Sequence, residues 1–388
     1  MCEKRFVPFF RPSFSKGEEE AVLRVLHSGW LTTGVETLEF EKEFAKFVNA
    51  KHALACNSAS SALILAMEAL GVKKGKKILT SPYTFISTAT SAIHLGGEVE
   101  YVDIEPNSYN IDPNLIEEKL KKDKDIMAIV PIHIAGNVCN MKDILFLAKK
   151  YGVYVIEDSA HAFPSLTNEG FAGTLGDAGV FSFYATKTIT TGEGGMVCVK
   201  DDDVAKRIIT LRSHGMDRLA WDRYTSKKAS YIYDIIDLGW KFNLPDILSC
   251  IGREQLKSAN DFYEKRCAIA KRFNEAFLNN DLFKLPPSSN GNAWHLYLLR
   301  LNLKALKIDR DAFFIKLQNE GLGVSVHFIP HFEFTFIKDR YKISRNDFPE
   351  SYEKFSETIS LPFYPDMKED DVEYVIEKVV KVAKENRA

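Results

Sequence analysis

The stretch GVFSFYATKTITTGEGGM, residues 179–196, decides how the rest of the chain is read. It opens as a short apolar strand through Val180, Phe181 and Phe183, passes small and hydroxyl-bearing residues on either side of Lys187, and closes on a glycine-dense turn. A lysine between a buried strand and such a turn is not surface decoration, because lysine is seldom buried without a task or a partner. The glycines of TGEGG permit tight backbone placement that other residues cannot adopt.

Working upstream, the strand Val153–Ile156 ends in Glu157 and Asp158, with His161 three residues beyond the aspartate. In open α/β sheets ligands gather at the carboxyl ends of strands, and Asp158 sits at such an end. Taken alone, Asp158 also reads as a helix N-cap and His161 as a hydrogen-bonded core histidine. Their pairing with Lys187 favours a site. Further upstream, Asn57 to Ser61 is small and polar and leads into ALILAMEAL, a helix apolar on nearly every face. A helix start of this kind binds phosphate through its unpaired first amides and its dipole, with plain Ser/Asn capping as the alternative.

Between these landmarks strands and helices alternate: strand 78–82, helix 87–93, strand 98–103, helix 113–122, strand 126–132 and helix 141–151. That alternation predicts a mainly parallel sheet with helices on both faces. No GxGxxG follows the first strand and no GxxxxGK[ST] occurs, so dinucleotide and P-loop readings are weak. Ahead of the sheet, helical stripes run from Glu18 to Leu26 and through Phe40, Phe44 and Phe47, and 52–56 reads as a buried strand. Beyond Met196 residues 217–236 lack periodicity and read as a surface excursion, and Pro245 and Asp246 suit a helix start. One long polar helix from Glu254 to about Asn279 is expected to lead into a second domain. That domain is expected to hold a strand at 295–301, a helix at 310–319, a strand at 323–328, an aromatic-rich loop to Phe336 and a final helix striped by Val372, Val375, Ile376, Val379, Val380 and Ala383. The expected division is residues 1–253, with the N-terminal segment, and residues 254–388.

Composition narrows the class. With 388 residues, 45% of them hydrophobic, the chain is long enough for a large and a smaller core. A formal net charge of −2, from 51 basic and 53 acidic residues, gives no global field for nucleic acid or an anionic membrane. The six cysteines are far apart, without CxxC or zinc-like Cys/His spacing, so reduced thiols, a cytoplasmic protein and no metal are expected. The N-terminus, MCEKRFVPFFRPSF, has too short an apolar stretch for a secretory signal, and no later run approaches the roughly 20 apolar residues of a membrane span.

Lysine is a nucleophile only as the free amine, and burial or a nearby cation lowers its pKa towards that state. Pyridoxal phosphate (PLP) needs a lysine to hold its aldehyde covalently, an anion opposite its ring nitrogen, a phosphate cup and an apolar or aromatic face. Lys187, Asp158, the 57–61 helix start and Phe85 supply these, and His161 is placed to hydrogen-bond the ring oxygen. An isolated phenylalanine such as Phe85 is more often plain core.

Through SGWLTTG, NSASSAL, SPYTFISTAT, VIEDSAHA, FSFYATKTITTGEGGM, LGWKFNLPDI and AWHLYLLRL, in that order, the chain resembles the DegT/StrS family of PLP-dependent sugar aminotransferases over nearly its whole length. The resemblance implies the α/β fold type I aminotransferase architecture, with a mainly parallel large domain, a smaller α+β C-terminal domain and a homodimer sharing its active sites. It implies Lys187 as the lysine that holds the cofactor and shuttles the proton, Asp158 at the pyridine nitrogen and His161 at the ring oxygen. Ala59 and Ser60 fall on the phosphate cup, where the family has Gly-Thr, and Ser182 on its phosphate-binding serine. Lys241 or Asn243 is implied to reach the phosphate of the other subunit's cofactor. Thr33, His327 and His331 are candidates for contact with substrate, aromatic packing between domains being the alternative for the histidines. The implied reaction runs in two halves, with L-glutamate as amino donor and a nucleotide-linked ketosugar as acceptor, the pattern being most like members that aminate C4 of UDP-4-ketosugars. Relatives that dehydrate have lost the lysine, so Lys187 argues against that activity, and nothing positive supports a regulatory protein without turnover.

Overall fold

A computed structural model describes residues 5–218 and 231–388. Of the expected surface excursion, residues 219–230 lie outside the described residues. Two helices, α1 (Lys16–Ser28) and α2 (Val35–Phe47), precede the sheet. Helix α1 is opened by a capping box, in which the Ser15 side chain accepts from the backbone and Glu18 answers to the Ser15 amide. The main body then alternates β1 (His52–Cys56), α3 (Ala59–Ala69), β2 (Lys77–Thr80), α4 (Ser87–His94), β3 (Glu98–Tyr101), α5 (Pro113–Lys122), β4 (Ile126–Ile129), α6 (Met141–Tyr151) and β5 (Tyr154–Asp158). A two-stranded hairpin, β6 (Leu166–Thr167) and β7 (Gly170–Phe171), leads to β8 (Ala178–Ser182), β9 (Gly195–Val199) and α7 (Asp202–Leu211).

The seven-stranded sheet has the order β1-β9-β8-β5-β4-β2-β3. Strands β8, β5, β4, β2 and β3 run parallel, and β9 runs antiparallel to both β8 and β1. This is the mixed, mainly parallel sheet that the alternation predicts. Strands β8 and β9 are buried at every residue, as expected where helices cover both faces. Strand β9 reverses beside β8: the loop 183–194 contains no helix to carry the chain across a sheet face, and the chain folds back as a hairpin with Lys187 in its loop.

The single long helix expected from Glu254 is instead two, α8 (Asp246–Lys257) and α9 (Ala259–Phe277), joined at Ser258. The break marks a change of partner. Cys250 on α8 packs with Ala21 and Val25 of α1, whereas Ile269, Phe273 and Phe277 on α9 enter the second core. That core also holds Leu299 and Leu301 of β11 (Leu298–Leu301), Phe313 and Leu317 of α10 (Arg310–Asn319) and Val372, Val375 and Val379 of the C-terminal helix. Strand β11 lies between β10 (Phe283–Lys284) and β12 (Thr358–Ser360) in a three-stranded antiparallel sheet. Residues 323–328 form no strand: Leu322 bridges Val7, and Ser325 bridges Ser360.

Two segments cross between the bodies. Val7 packs in the second core, donating its amide to the Gly321 carbonyl at 2.9 Å and accepting from Gly323 at 2.8 Å, so the N-terminal segment is held by the C-terminal body. In the other direction the chain beyond the aromatic loop forms α11 (Thr335–Tyr341) and α12 (Pro349–Glu357), and Phe332, Ile337 and Phe348 pack into the core of the large sheet. The last helix, α13 (Glu369–Glu385), carries the expected apolar stripe. No helix among the described residues is long and apolar enough to cross a membrane.

Candidate active site

Three chain segments meet at the carboxyl ends of β5 and β8. The first is the start of α3. Ser58, in extended backbone, caps the helix by accepting from the Ser61 amide at 3.1 Å, and Ser61 Oγ donates to Asn57 Oδ1 at 2.6 Å. The amides of Ala59 and Ser60 lie in the first turn, where a helix has no internal partners for them. Gly195 of β9 lies flush against this start: a Cβ there would stand 2.5 Å from the Ser58 carbonyl carbon and 2.7 Å from the Ala59 nitrogen. Only glycine lets the strand leaving the Lys187 loop pass so close to the helix terminus.

The second segment is the end of β5. Asp158 is buried, and its carboxylate accepts from Thr88 Oγ1 at 2.8 Å and from the Ala160 amide at 3.2 Å. Burial holds its pKa above the ordinary carboxylate value, against these two donors and the charge of Lys187. Three residues on, His161 accepts the Ala135 amide at Nδ1, 3.3 Å away. A neutral imidazole accepting at Nδ1 carries its proton on Nε2, so His161 is a donor through that atom. Burial first, then the charges of Lys187 and His327, hold its pKa well below the usual histidine range. Its ring stacks on Phe328, with centroids 5.4 Å apart at 19°, and meets His295 at 4.4 Å.

The third segment is the Lys187 loop. The Lys187 amide donates to the Tyr184 carbonyl at 2.9 Å, and the Thr191 amide to the Phe183 carbonyl at 3.0 Å, closing the loop on itself. Burial pushes the Lys187 amine down to about 8, while Asp158 pulls the other way. For both members of the pair burial outweighs mutual attraction, so the amine titrates close to neutral pH.

These groups line one cavity of ≈ 390 Å³, within the ~300–1,000 Å³ range of small-molecule pockets. It brings together Lys187, Asp158, His161, Ala59, Ser60, Ser182, Phe85 and His327. Ser182, buried at the end of β8, has its hydroxyl within 3.4 Å of the Tyr184 amide. Phe85 is 59% exposed, a cavity wall and not plain core. His327 is pushed down to about 4 by burial and the charge of Lys187; its Nδ1 lies 2.9 Å from Ser360 Oγ and its ring stacks on Phe9 at 5.5 Å.

Four expected residues are not among the cavity's lining. His331 is fully buried, with Nδ1 3.1 Å from the Tyr101 hydroxyl and its ring near Phe334, which is the aromatic packing weighed as its alternative. Thr33 Oγ1 donates to the Leu244 carbonyl at 2.6 Å and accepts from Asn243 Nδ2 at 2.6 Å, so these two residues bind each other. Lys241 is exposed, and its carbonyl accepts from Asn57 Nδ2 at 3.4 Å. Asp246 organises this corner by accepting from the amides of Gly34, Glu36 and Thr37 at the start of α2.

Sequence reasoning missed Thr88, His295, Phe9 and Glu193 as members of the site. Thr88 and His295 lie within quoted motifs, SPYTFISTAT and AWHLYLLRL, and a donor within reach of Asp158 was the signal available for Thr88. Phe9 left no signal, because its place depends on the pairing of Val7 with a segment more than 300 residues away.

The residues fit PLP on the structure's own terms. A near-neutral amine, a buried carboxylate with room for one more donor, a histidine Nε2–H and an open helix start all face one cavity that a cofactor of that size and charge pattern would fill.

A family model described as the DegT/DnrJ/EryC1/StrS aminotransferase family matches residues 12–380. The spore coat polysaccharide biosynthesis protein SpsC of Bacillus subtilis is 40% identical over 99% of each chain. Among solved structures, the Streptococcus pneumoniae protein Spr1654 in its PMP form superposes with a TM-score of 0.90 at 26% identity, covering 98% of this chain and 99% of that one. Helicobacter pylori PseC, an aminotransferase involved in the biosynthesis of pseudoaminic acid, gives a TM-score of 0.90 at 27% identity over 98% of this chain and 100% of its own.

Proposed function

Because the chain belongs to the DegT/DnrJ/EryC1/StrS aminotransferase family, we propose that it moves an amino group from L-glutamate to a UDP-linked 4-ketosugar on the way to a cell-surface polysaccharide or glycan. It is a PLP-dependent sugar aminotransferase of fold type I. The observation that carries this reading is the convergence on one cavity of Lys187, with its amine pushed down to about 8, and Asp158 at the neighbouring strand end.

When bound, PLP supplies an aldehyde that captures amines and a ring that withdraws electrons from the carbon bearing the amine. Asp158 is the residue to hold the protonated ring nitrogen, and a buried carboxylate with a raised pKa becomes an anion once that cation is beside it. The Nε2–H of His161 is the donor for the ring oxygen. The amides of Ala59 and Ser60, with Ser182, would hold the phosphate. Lys187 would be the residue to hold the cofactor's aldehyde and, as a free amine, to carry a proton on Nζ to and from the substrate carbon. An amine with a pKa near 8 both takes and returns that proton at neutral pH.

SpsC and PseC support the polysaccharide and sugar reading, since their names place them in such pathways. A homodimer in the cytoplasm completes the proposal. Exposed apolar side chains at Leu23, Leu26 and Leu31, and at Tyr231, Ile232, Ile236 and Leu238, suit an interface with a second copy. In that dimer Lys241 or Asn243 is the residue to reach the other subunit's cofactor phosphate.

The test is spectroscopic. The protein reconstituted with PLP is expected to show a band near the visible edge that bleaches with borohydride and shifts on adding L-glutamate, and its rate of covalent capture is expected to rise about tenfold from pH 7 to pH 9 as the amine loses its proton. Lys187→Ala is expected to bind cofactor and lose turnover by about a thousandfold or more. A protein that stays colourless with PLP, or an active Lys187→Ala variant, overturns the assignment; a panel of UDP-, dTDP- and GDP-linked ketosugars decides the acceptor.

A further inference from the structure

Most polar side chains deep in the cavity are bonded within the chain, the buried Nδ1 of His295 being an exception. Inside, Asp158, His161 and His327 each have a hydrogen-bond partner in the chain. On the outer wall, Tyr184 is 46% exposed and Glu193 is exposed, and both line the cavity. Among the described residues neither the Tyr184 hydroxyl nor the Glu193 carboxylate has a hydrogen-bond or ion-pair partner.

The backbone fixes these two residues near one another. Tyr184 and Gly192 pair in a parallel bridge, the Phe183 amide donates to the Gly194 carbonyl at 2.9 Å, and Thr191 Oγ1 donates to the Glu193 carbonyl at 2.6 Å. Gly192, at φ +83°, takes the left-handed turn that brings Glu193 back beside the strand end. Phe85 presents an exposed aromatic ring to the same cavity.

We infer that Glu193, with Tyr184 beside it, reads the hydroxyl groups of the acceptor hexose, Phe85 offering the sugar ring an apolar face. This rests on the sugar aminotransferase reading and deepens it. A carboxylate accepts two hydrogen bonds side by side, which matches a neighbouring pair of hydroxyls, and a phenol both donates and accepts. The charge also excludes. A dicarboxylate amino donor and a sugar carrying a carboxylate are repelled by Glu193, whereas a neutral hexose is not. Donor and acceptor visit the same cavity in turn, so Glu193 favours one half-reaction and opposes the other. A residue that only supported the fold would move both halves the same way.

The experiment uses the full-length enzyme in its cofactor-loaded forms, with Glu193→Gln and the charge-keeping Glu193→Asp. Each half-reaction is followed by absorbance, with L-glutamate as donor and a UDP-linked 6-deoxy-4-ketohexose as acceptor probe. Binding of UDP-glucose and UDP-glucuronate to the pyridoxamine form is measured by calorimetry. Glu193→Gln is expected to lower kcat/KM for the acceptor about tenfold, to leave the L-glutamate half unchanged or faster, and to narrow the preference for UDP-glucose over UDP-glucuronate. Glu193→Asp is expected to keep that preference. Equal losses in both halves, or a preference that Glu193→Gln leaves untouched, overturns the subsite alone. An unmodified enzyme with no spectral response to L-glutamate overturns the sugar aminotransferase reading, and the subsite with it.

Discussion

Glu157 and Asp158 are consecutive acids on one buried strand, yet they do opposite things. Glu157 faces away from the cavity, and all of its acceptor capacity is used: Gly173 and His133 Nε2 donate to one oxygen at 2.8 and 3.0 Å, and Leu175 and Gly176 to the other, both at 2.7 Å. His133 accepts the Cys139 amide at Nδ1, which leaves its proton on Nε2 for Glu157. Asp158, one residue on and therefore on the other face of the sheet, has two donors and a raised pKa. A satisfied buried carboxylate anchors a loop. An under-satisfied one waits for a cation, and the difference between them is the count of donors, not the residue type or the burial.

The largest break in this comparison comes from Asp158→Asn. It removes the anion while keeping the shape, and it is expected to cut kcat about a hundredfold or more with little change in the unfolding midpoint. Near-normal rates would remove Asp158 from the chemistry. Glu157→Gln is the mirror case. An amide there sets a donor against donors in a buried nest and is expected to cost about 3 kcal/mol in urea unfolding, with kcat per folded molecule within about twofold of normal. If activity fell as far as for Asp158→Asn, the two acids would not be separable as argued. The finest test is Thr88→Val, which takes one of Asp158's two donors and is expected to lower kcat by about fivefold, the worth of one hydrogen bond of roughly 1 kcal/mol. An unchanged rate would show that the Ala160 amide alone holds the carboxylate.

The same contrast separates what local sequence carries from what it does not. Strand and helix periods, and the small residues at 57–61 and 179–196, were legible because a buried strand, an apolar helix and a glycine turn each write their requirements into a few adjacent positions. The helices α5, α6 and α10 fall on the predicted residues for that reason. The break at Ser258 was not legible, since both halves read as polar amphipathic helix and only their different partners bend the chain. His331 and His327 are four residues apart in one aromatic loop, and nothing local told which would face the cavity and which would pack on Tyr101. Nothing local told that Val7 would bridge Leu322 and pack in the second core, because that pairing is a tertiary fact.

Sequence by itself determined the fold class and the family, and it singled out Lys187 and Asp158, because these depend on residue type and short spacing. The tertiary structure decided which groups are left wanting. Whether an acid, a histidine or an amide has its full set of partners depends on segments far apart in the chain. In the segment where the reading began, Lys187 gains its lowered pKa from burial that no local pattern records, and Gly195 its necessity from the start of a helix nearly 140 residues upstream.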